Sequence, residues 1–299
     1  MSNTNEGRCQ AANRATCWKH GSGLGFDANR KIREDMKNNV RPQGTRFELK
    51  KLDCEEIAQH IMLQVENYPH IDAEKVKHAI LLASDLHKTD TRSNRGDAEK
   101  TPYIEHPLRN TLRLMRLGCT DETVIIGSLL HDTVEDHPFE MAEKVGVKTE
   151  DEQEARDASY AYLEKKYSKE VSDMVHGMSN PIIENKYMPA AEKNIIYRDH
   201  VHEAIENPHV FLAKVSDFID NALSLHHTES SMSSISLYKK STKYLLVCDV
   251  LSGRLLAGMG KKDIPLSDES LGKIYAQLVG GKKRLIAMQK KHAPQLQTA

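Results

Sequence analysis

The segment GSLLHDTVEDHPFE, Gly127 to Glu140, constrains this chain more than any other. It continues DETVII, so the run from Val124 to Leu130 is apolar on nearly every side and reads as a buried central helix. Four ionisable side chains, His131, Asp132, Glu135 and Asp136, then crowd into six positions. On a helix of about 3.6 residues per turn, His131 lies one turn below Glu135 and Asp132 one turn below Asp136, so all four edge one helix end. Three carboxylates there repel one another and lose hydration at a cost of several kcal/mol. A divalent cation is the usual compensation, and imidazole mixed with carboxylates suits manganese, iron or zinc better than calcium or magnesium.

The rest of the composition sets bounds. With 299 residues, 39% of them hydrophobic, the chain can bury a core and form one large or two small domains. Its 42 basic and 43 acidic residues nearly cancel, which excludes the global field of a dedicated nucleic-acid or membrane-surface binder and leaves room for a small phosphorylated ligand. Five scattered cysteines with no C-x-x-C pair argue against a disulfide framework or a zinc knuckle and fit a reducing compartment. No apolar run reaches the roughly 18 residues of a membrane span, and MSNTNEGRCQAANRATCWKHGSG lacks the apolar core of a secretory signal. A cytoplasmic protein is expected, with no membrane partner and no stable nucleic-acid binding.

Residues 1–45 are polar and aperiodic and are expected to form an arm. From Phe47 apolar residues recur at helical spacing in CEEIAQHIMLQVENY, AEKVKHAILLASDLHK, YIEHPLRNTLRLMRLG and DETVIIGSLLHDTVED, with Asp121 as an N-cap and Gly118 as a C-terminal stop. ASYAYLEKKYSKEVSDMVHG, NIIYRDHVHEAIEN, HVFLAKVSDFIDNALSLHH and two amphipathic segments after Ser234 continue the pattern. The expected fold is all-α, with 46–250 as the functional domain and 251–299 as a helical extension packed on it.

Two further oddities extend the cation reading. His106 sits at a helix start fixed by Pro107, and Asp217 lies mid-helix between apolar neighbours, where an unpaired carboxylate is penalised by propensity and by burial. His106, His131, Asp132 and Asp217 thus form a constellation drawn from three separated helices.

The segments PYIEHP, LLHDTVED and LAKVSDFIDN resemble, in order and separation, the motifs of the HD-type hydrolase domain of Rel/SpoT enzymes and small alarmone hydrolases. The resemblance covers about Ala73 to Tyr244. It implies an HD-domain helical bundle that binds one manganese ion, zinc or iron being alternatives, and removes the 3′-pyrophosphate of ppGpp or pppGpp to give GDP or GTP and pyrophosphate. By position it implies His106, His131, Asp132 and Asp217 as metal ligands and Glu135 and Asp136 as the groups that activate and orient water. HKTDTRS, His87 to Ser93, aligns with an H-x-G-Q-x-R-K pattern and makes Arg92 the residue that stacks on a purine. Lys214, Asn221 and Tyr244, four residues after Lys240, complete the implied nucleotide contacts.

The departures also matter. Ser93 replaces the pattern's lysine, the loop after it is longer, and Phe218 and Asp220 stand where the resemblance has arginine and histidine. These leave open a related phosphorylated nucleotide as substrate (ppApp, NADPH or an RNA end), or a nucleotide sensor that does not cleave. His137, His226 and His227 match no ligand position and read as surface or loop histidines, His87 as a neighbour of the site. The charged stretch between residues 140 and 170 reads as a lid over the cleft. Roughly fifty residues follow Tyr244, too few for a further typical domain, so a hydrolase without a synthetase is expected.

Overall fold

Most helices of this chain begin where the sequence supplies a side-chain oxygen to cap exposed N–H groups. The computed structural model describes residues 48–92, 100–185 and 187–293, so the expected arm, Ser93 and most of the following loop lie outside the described residues. Asp53 caps α1 (Cys54–Val65) in a reciprocal box with Glu56, and Asp72 caps α2 (Ala73–Leu86). A two-residue antiparallel pair follows, β1 (Thr91–Arg92) against β2 (Thr101–Pro102), with Arg92 opposite Thr101. It leads into α3 (Glu105–Arg116), which ends at Gly118 in a left-handed conformation, φ 91°, that glycine tolerates without strain. Asp121 caps α4 (Glu122–Leu130) by accepting from the Val124 amide, as the sequence predicts.

The expected single helix through HDTVED is interrupted. α4 stops at Leu130, His131 and Asp132 form a turn, and α5 (Thr133–Asp136) resumes. His131 Nδ1 donates to the Ser128 carbonyl and Thr133 Oγ1 to that of Leu130, local bonds that compete with the helical ladder at this point. α6 (Pro138–Lys144) and α7 (Glu152–Lys166) follow. The helix expected to run unbroken to Gly177 is two, because Ser168 caps a new one, α8 (Lys169–Met178). α9 (Ala190–Ala204), α10 (Pro208–Asn221), α11 (Ser234–Gly258) and α12 (Asp268–His292) complete the all-α fold, with a 3-10 segment at Leu225–Ser231. α11 runs unbroken through residue 250, and α12 packs along it. Among the described residues no helix is long and apolar enough to cross a membrane, and Cys54, Cys119 and Cys248 are free thiols.

Two apolar cores meet on α4 and α8. Ile125, Ile126, Leu129 and Leu130 pack with α1–α3, while Val124 packs toward α10–α12. On α8, Val171 and Val175 face the first core and Met174 and Met178 the second. A Cβ at Gly127 would sit within the Met174 thioether, so this glycine lets α4 and α8 approach closely. Burying side chains such as Leu129 and Ile126, each worth about 1.5–3 kcal/mol, fixes α4 between the cores, so its C-terminal turn emerges at their seam. The 140–170 stretch is no lid: Met141, Ala155 and Leu163 are buried, which docks α6 and α7 on the body of the fold.

Candidate active site

The turn after α4 brings His131 and Asp132 against His106 from α3 and Asp217 from α10. His106 Nε2 lies 2.9 Å from Asp217 Oδ1 and 3.6 Å from Asp132 Oδ2. His131 Nε2 lies 3.1 Å from Asp132 Oδ2 and 3.8 Å from Asp217 Oδ1. Both rings are oriented from behind: His106 Nδ1 pairs with Asp220 Oδ2 at 2.8 Å, and His131 Nδ1 donates to the Ser128 carbonyl at 2.9 Å. A carbonyl only accepts and a buried carboxylate accepts best, so the two Nε2 atoms are left to present lone pairs to a common point. His131 Nε2 is buried without a hydrogen-bond partner. Two imidazole lone pairs and two carboxylate oxygens at these separations fit a borderline divalent cation.

The electrostatics lean the same way. Burial pulls the His131 pKa down, yet Asp132 and then Asp217 outweigh it and push it up to about 9, a pull that holds a proton or a cation at Nε2. Burial raises Asp132 and Asp217, but His131 beside the first and His106 beside the second keep both below the usual carboxylate range.

Asp220, noted in the sequence only as a departure, is the anchor of the His106 ring. Besides that imidazole it accepts from Arg109 Nε and Nη2 at 3.1 Å each and from Arg113 Nη2 at 2.9 Å. Arg109 is fully buried and also donates to Glu105 Oε2 at 3.1 Å, and Arg113 Nη1 donates to the Ser216 carbonyl at 3.0 Å. Burial would raise Asp220, but Arg109, His106 and Arg113 hold it well below the ordinary range. The available signal was spacing: Asp220 falls one turn after Asp217, and Arg109 and Arg113 fall three and seven residues after His106.

Of the residues expected to handle water, Glu135 is clamped, accepting from the Asn180 amide at 2.8 Å and from Asn180 Nδ2 at 2.7 Å. Arg156 of α7 donates to the Asn180 carbonyl at 2.7 Å, so the stretch expected as a lid buttresses Glu135 instead. Asp136 is pushed up to about 6 by burial and by the charges of Asp132 and Glu135.

The expected nucleotide contacts converge less evenly. Asn221 Nδ2 donates to Asp217 Oδ1 at 2.6 Å, and its Oδ1 accepts from Arg92, whose guanidinium lies 5.3 Å from the Tyr103 ring centre. Lys214 is buried and donates to the Met178 carbonyl at 2.6 Å, while Tyr244 meets Phe218 edge to face at 5.9 Å. A cavity of about 160 Å³ holds His131, Asp132, Asp217, Glu135, Asp136 and Lys214 on its wall. A second cavity of about 330 Å³ is lined by Lys50, Arg92, Lys240 and Ser224, and Asn221 and Tyr244 line both.

Tyr103, Asn180, Tyr197 and Lys243 also line the first cavity and escaped the sequence reading. Tyr103 donates to Asp132 Oδ2 at 2.8 Å, and Lys243 Nζ sits 3.8 Å from the Tyr197 ring centre. His87 stacks on Tyr103 with centroids 4.7 Å apart, which fits a neighbour of the site. His137 is no free loop histidine: its Nε2 lies 2.7 Å from Asp90 Oδ2, its side chain is 12% exposed, and it is held by a cluster that sequence spacing did not reveal. His226 and His227 lie on the 3-10 segment and pack on each other.

No family model matches the chain. It is 32% identical over 161 residues to a protein from Aquifex aeolicus named guanosine-3′,5′-bis(diphosphate) 3′-pyrophosphohydrolase, an alignment covering 54% of this chain and 19% of that protein. A protein of the same name, MESH1 of Xenopus tropicalis, is 45% identical over 67 residues, covering 22% of this chain and 35% of its own. A solved structure described as a metazoan ortholog of SpoT that hydrolyses ppGpp and plays a role in starvation responses aligns with a TM-score of 0.46 at 20% identity, over 68% of this chain and 94% of that one. The chain therefore spans 19% and 35% of the two curated relatives' lengths. Over part of its length the chain is thus similar in sequence to proteins named guanosine-3′,5′-bis(diphosphate) 3′-pyrophosphohydrolase.

Proposed function

We propose that this chain is a cytoplasmic, manganese-dependent hydrolase that removes the 3′-pyrophosphate of ppGpp or pppGpp, releasing pyrophosphate with GDP or GTP. The observation that carries the reading is the convergence of His106 Nε2, His131 Nε2, Asp132 Oδ2 and Asp217 Oδ1 beside a cavity that also holds Glu135 and Asp136. The names of the curated relatives point to the same reaction. In this reading the hydrolase unit expected over 46–250 continues across residue 250 through α11, with α12 packed along it.

His106, His131, Asp132 and Asp217 would hold the ion. Such a cation, when bound, supplies positive charge to phosphate oxygens and makes water more acidic. Asp136, with a pKa near the working range, accepts the proton of the attacking water, and Glu135 orients that water from the position Asn180 enforces. Lys214 places a positive charge on the wall where the scissile phosphates lie, and Asn221 aligns Asp217 while reaching the ribose side. Lys50, Arg92 and Lys240 around the larger cavity complement a polyanionic nucleotide, with Arg92 and Tyr244 placed to contact the base.

Arg92 favours a second reading in the same class. A guanidinium that stacks on a purine would not separate guanine from adenine, so ppApp, NADPH or a phosphorylated RNA end is the alternative substrate. The test is a nucleotide panel incubated with metal-stripped chain and added manganese, with pyrophosphate, phosphate and nucleoside products resolved by ion exchange. Release of pyrophosphate from ppGpp, lost in Asp217→Asn, is expected. No pyrophosphate from ppGpp or pppGpp with the manganese-loaded chain refutes the first reading, and cleavage of another panel member then selects the second.

A further inference from the structure

One tyrosine ring away from the proposed metal ligands lies another converging trio. Asp90 Oδ2 is 2.9 Å from His87 Nδ1 and 2.7 Å from His137 Nε2, and those two ring nitrogens are 3.1 Å apart. His87 is 1% exposed. We propose that His87, Asp90 and His137 form a second divalent-cation site, of the zinc class, with three protein ligands and one position for water.

The protein groups alone are awkwardly matched. Two ring nitrogens approach one carboxylate oxygen and each other, so without a cation two N–H groups must crowd onto that single oxygen. A cation among them resolves the arrangement, because all three atoms then offer lone pairs. Zinc bonds of about 2.0–2.1 Å at tetrahedral angles hold ligand atoms about 3.3 Å apart, so the three observed separations would open by only about 0.2–0.6 Å. His137 Nδ1 lies 3.9 Å from Glu140 Oε1, which places a carboxylate behind the ligand ring. The charge comes from Asp90, which stands where the H-x-G-Q-x-R-K pattern has a neutral glutamine.

The site would act as a clip. The Asp90 carbonyl accepts from the Tyr103 amide at 2.9 Å, His87 stacks on the Tyr103 ring, and Arg92 follows two residues after Asp90. An ion on the trio ties the end of α2 to the start of α6 and fixes the β1–β2 pair that carries Arg92.

Metal counting tests the proposal. The full chain is stripped with chelator, reloaded with zinc or cobalt(II), desalted and assayed by elemental analysis, with the cobalt visible spectrum reporting coordination. Two equivalents are expected in the parent and one in Asp90→Asn and in His137→Gln, each checked for native circular dichroism. Asp217→Asn should lose the other equivalent and keep this one, so failure of the catalytic reading is distinguishable from failure of this one. A parent that binds at most one equivalent, unchanged by Asp90→Asn, overturns the proposal, as do two equivalents retained in both trio variants.

Discussion

Asp220→Asn separates two jobs that one side chain performs. The asparagine keeps the shape but loses the charge, leaving Arg109 with Glu105 and Arg113 with the neutral acceptors of Asn110 and Ser216. Removing one partner of a buried ion pair costs about 3–5 kcal/mol, and because Glu105 still neutralises Arg109, the lower end applies, about 3 kcal/mol. The second job is tautomeric. An asparagine whose oxygen stays with the arginines turns its amide N–H groups toward His106 Nδ1, which then accepts, so the ring proton moves to Nε2 and blocks the lone pair aimed at Asp132 and Asp217. Loss of such a supporting partner typically weakens metal affinity about 10–100-fold, which is about 1.4–2.7 kcal/mol. Urea unfolding of metal-free protein measures the first effect, and manganese titration of folded protein the second. Parental values for both would refute the whole argument. A stability loss with unchanged manganese affinity would leave Asp220 as a charge partner only and sink the tautomer step.

Glu135→Gln is expected to lower kcat by about 10²-fold through misplacement of the attacking water while manganese content stays at the parental level, and an unchanged kcat removes Glu135 from the mechanism. The contact between Asp121 and His209, 3.4 Å apart, makes the α4 start sensitive to pH. The hydrogen bond to Asp121 raises His209, so its stabilisation is complete below the ordinary imidazole pKa and fades as pH rises through the raised value. Burial raises Asp121, but His209 and the helix amides lower it overall, so its share persists above the ordinary carboxylate pKa and fades as pH falls through the lowered one. His209→Ala should therefore cost under about 1 kcal/mol at pH 6 and almost nothing at pH 9, and the opposite order in urea melts would contradict the sign. Gly281→Ala gains up to about 1 kcal/mol of helix propensity, but its Cβ would fall inside the Leu223 side chain, so a net loss of about 1–2 kcal/mol is expected, and a raised melting temperature would show that Leu223 moves aside freely.

The four proposed ligands could be read in the sequence because each stands out locally: Asp217 is a carboxylate inside an apolar helix, His131 and Asp132 end a buried one, and His106 sits at a helix start fixed by Pro107. Asp121 and Gly118 were legible for the same reason, since caps act within four residues. What stayed hidden depends on distance along the chain. Asp220 becomes His106's partner only when α10 crosses α3, bridging 114 positions, and Asn180 reaches Glu135 across 45. The end of α7 escaped because apolar periodicity continues across Tyr167 and Ser168, and only the Ser168 cap marks the break. His137 looked idle because its partner, Asp90, lies 47 positions away.

Charge accounting joins these layers. Glu105 and Asp220 balance Arg109 and Arg113 behind the His106 ring, so that network is neutral and exerts little net pull on a cation. On the cavity wall two lysines, Lys214 and Lys243, stand with two further carboxyl groups, Glu135 and Asp136. At the centre Asp132 and Asp217 bring two carboxylate charges up to the Nε2 atoms of His106 and His131. Two charges ask for a divalent ion rather than a monovalent one, and the presence of imidazole asks for one softer than magnesium or calcium. The apolar helix that ends in HDTVED thus delivers one imidazole and one carboxylate, and their counterparts, His106 and Asp217, arrive from α3 and α10.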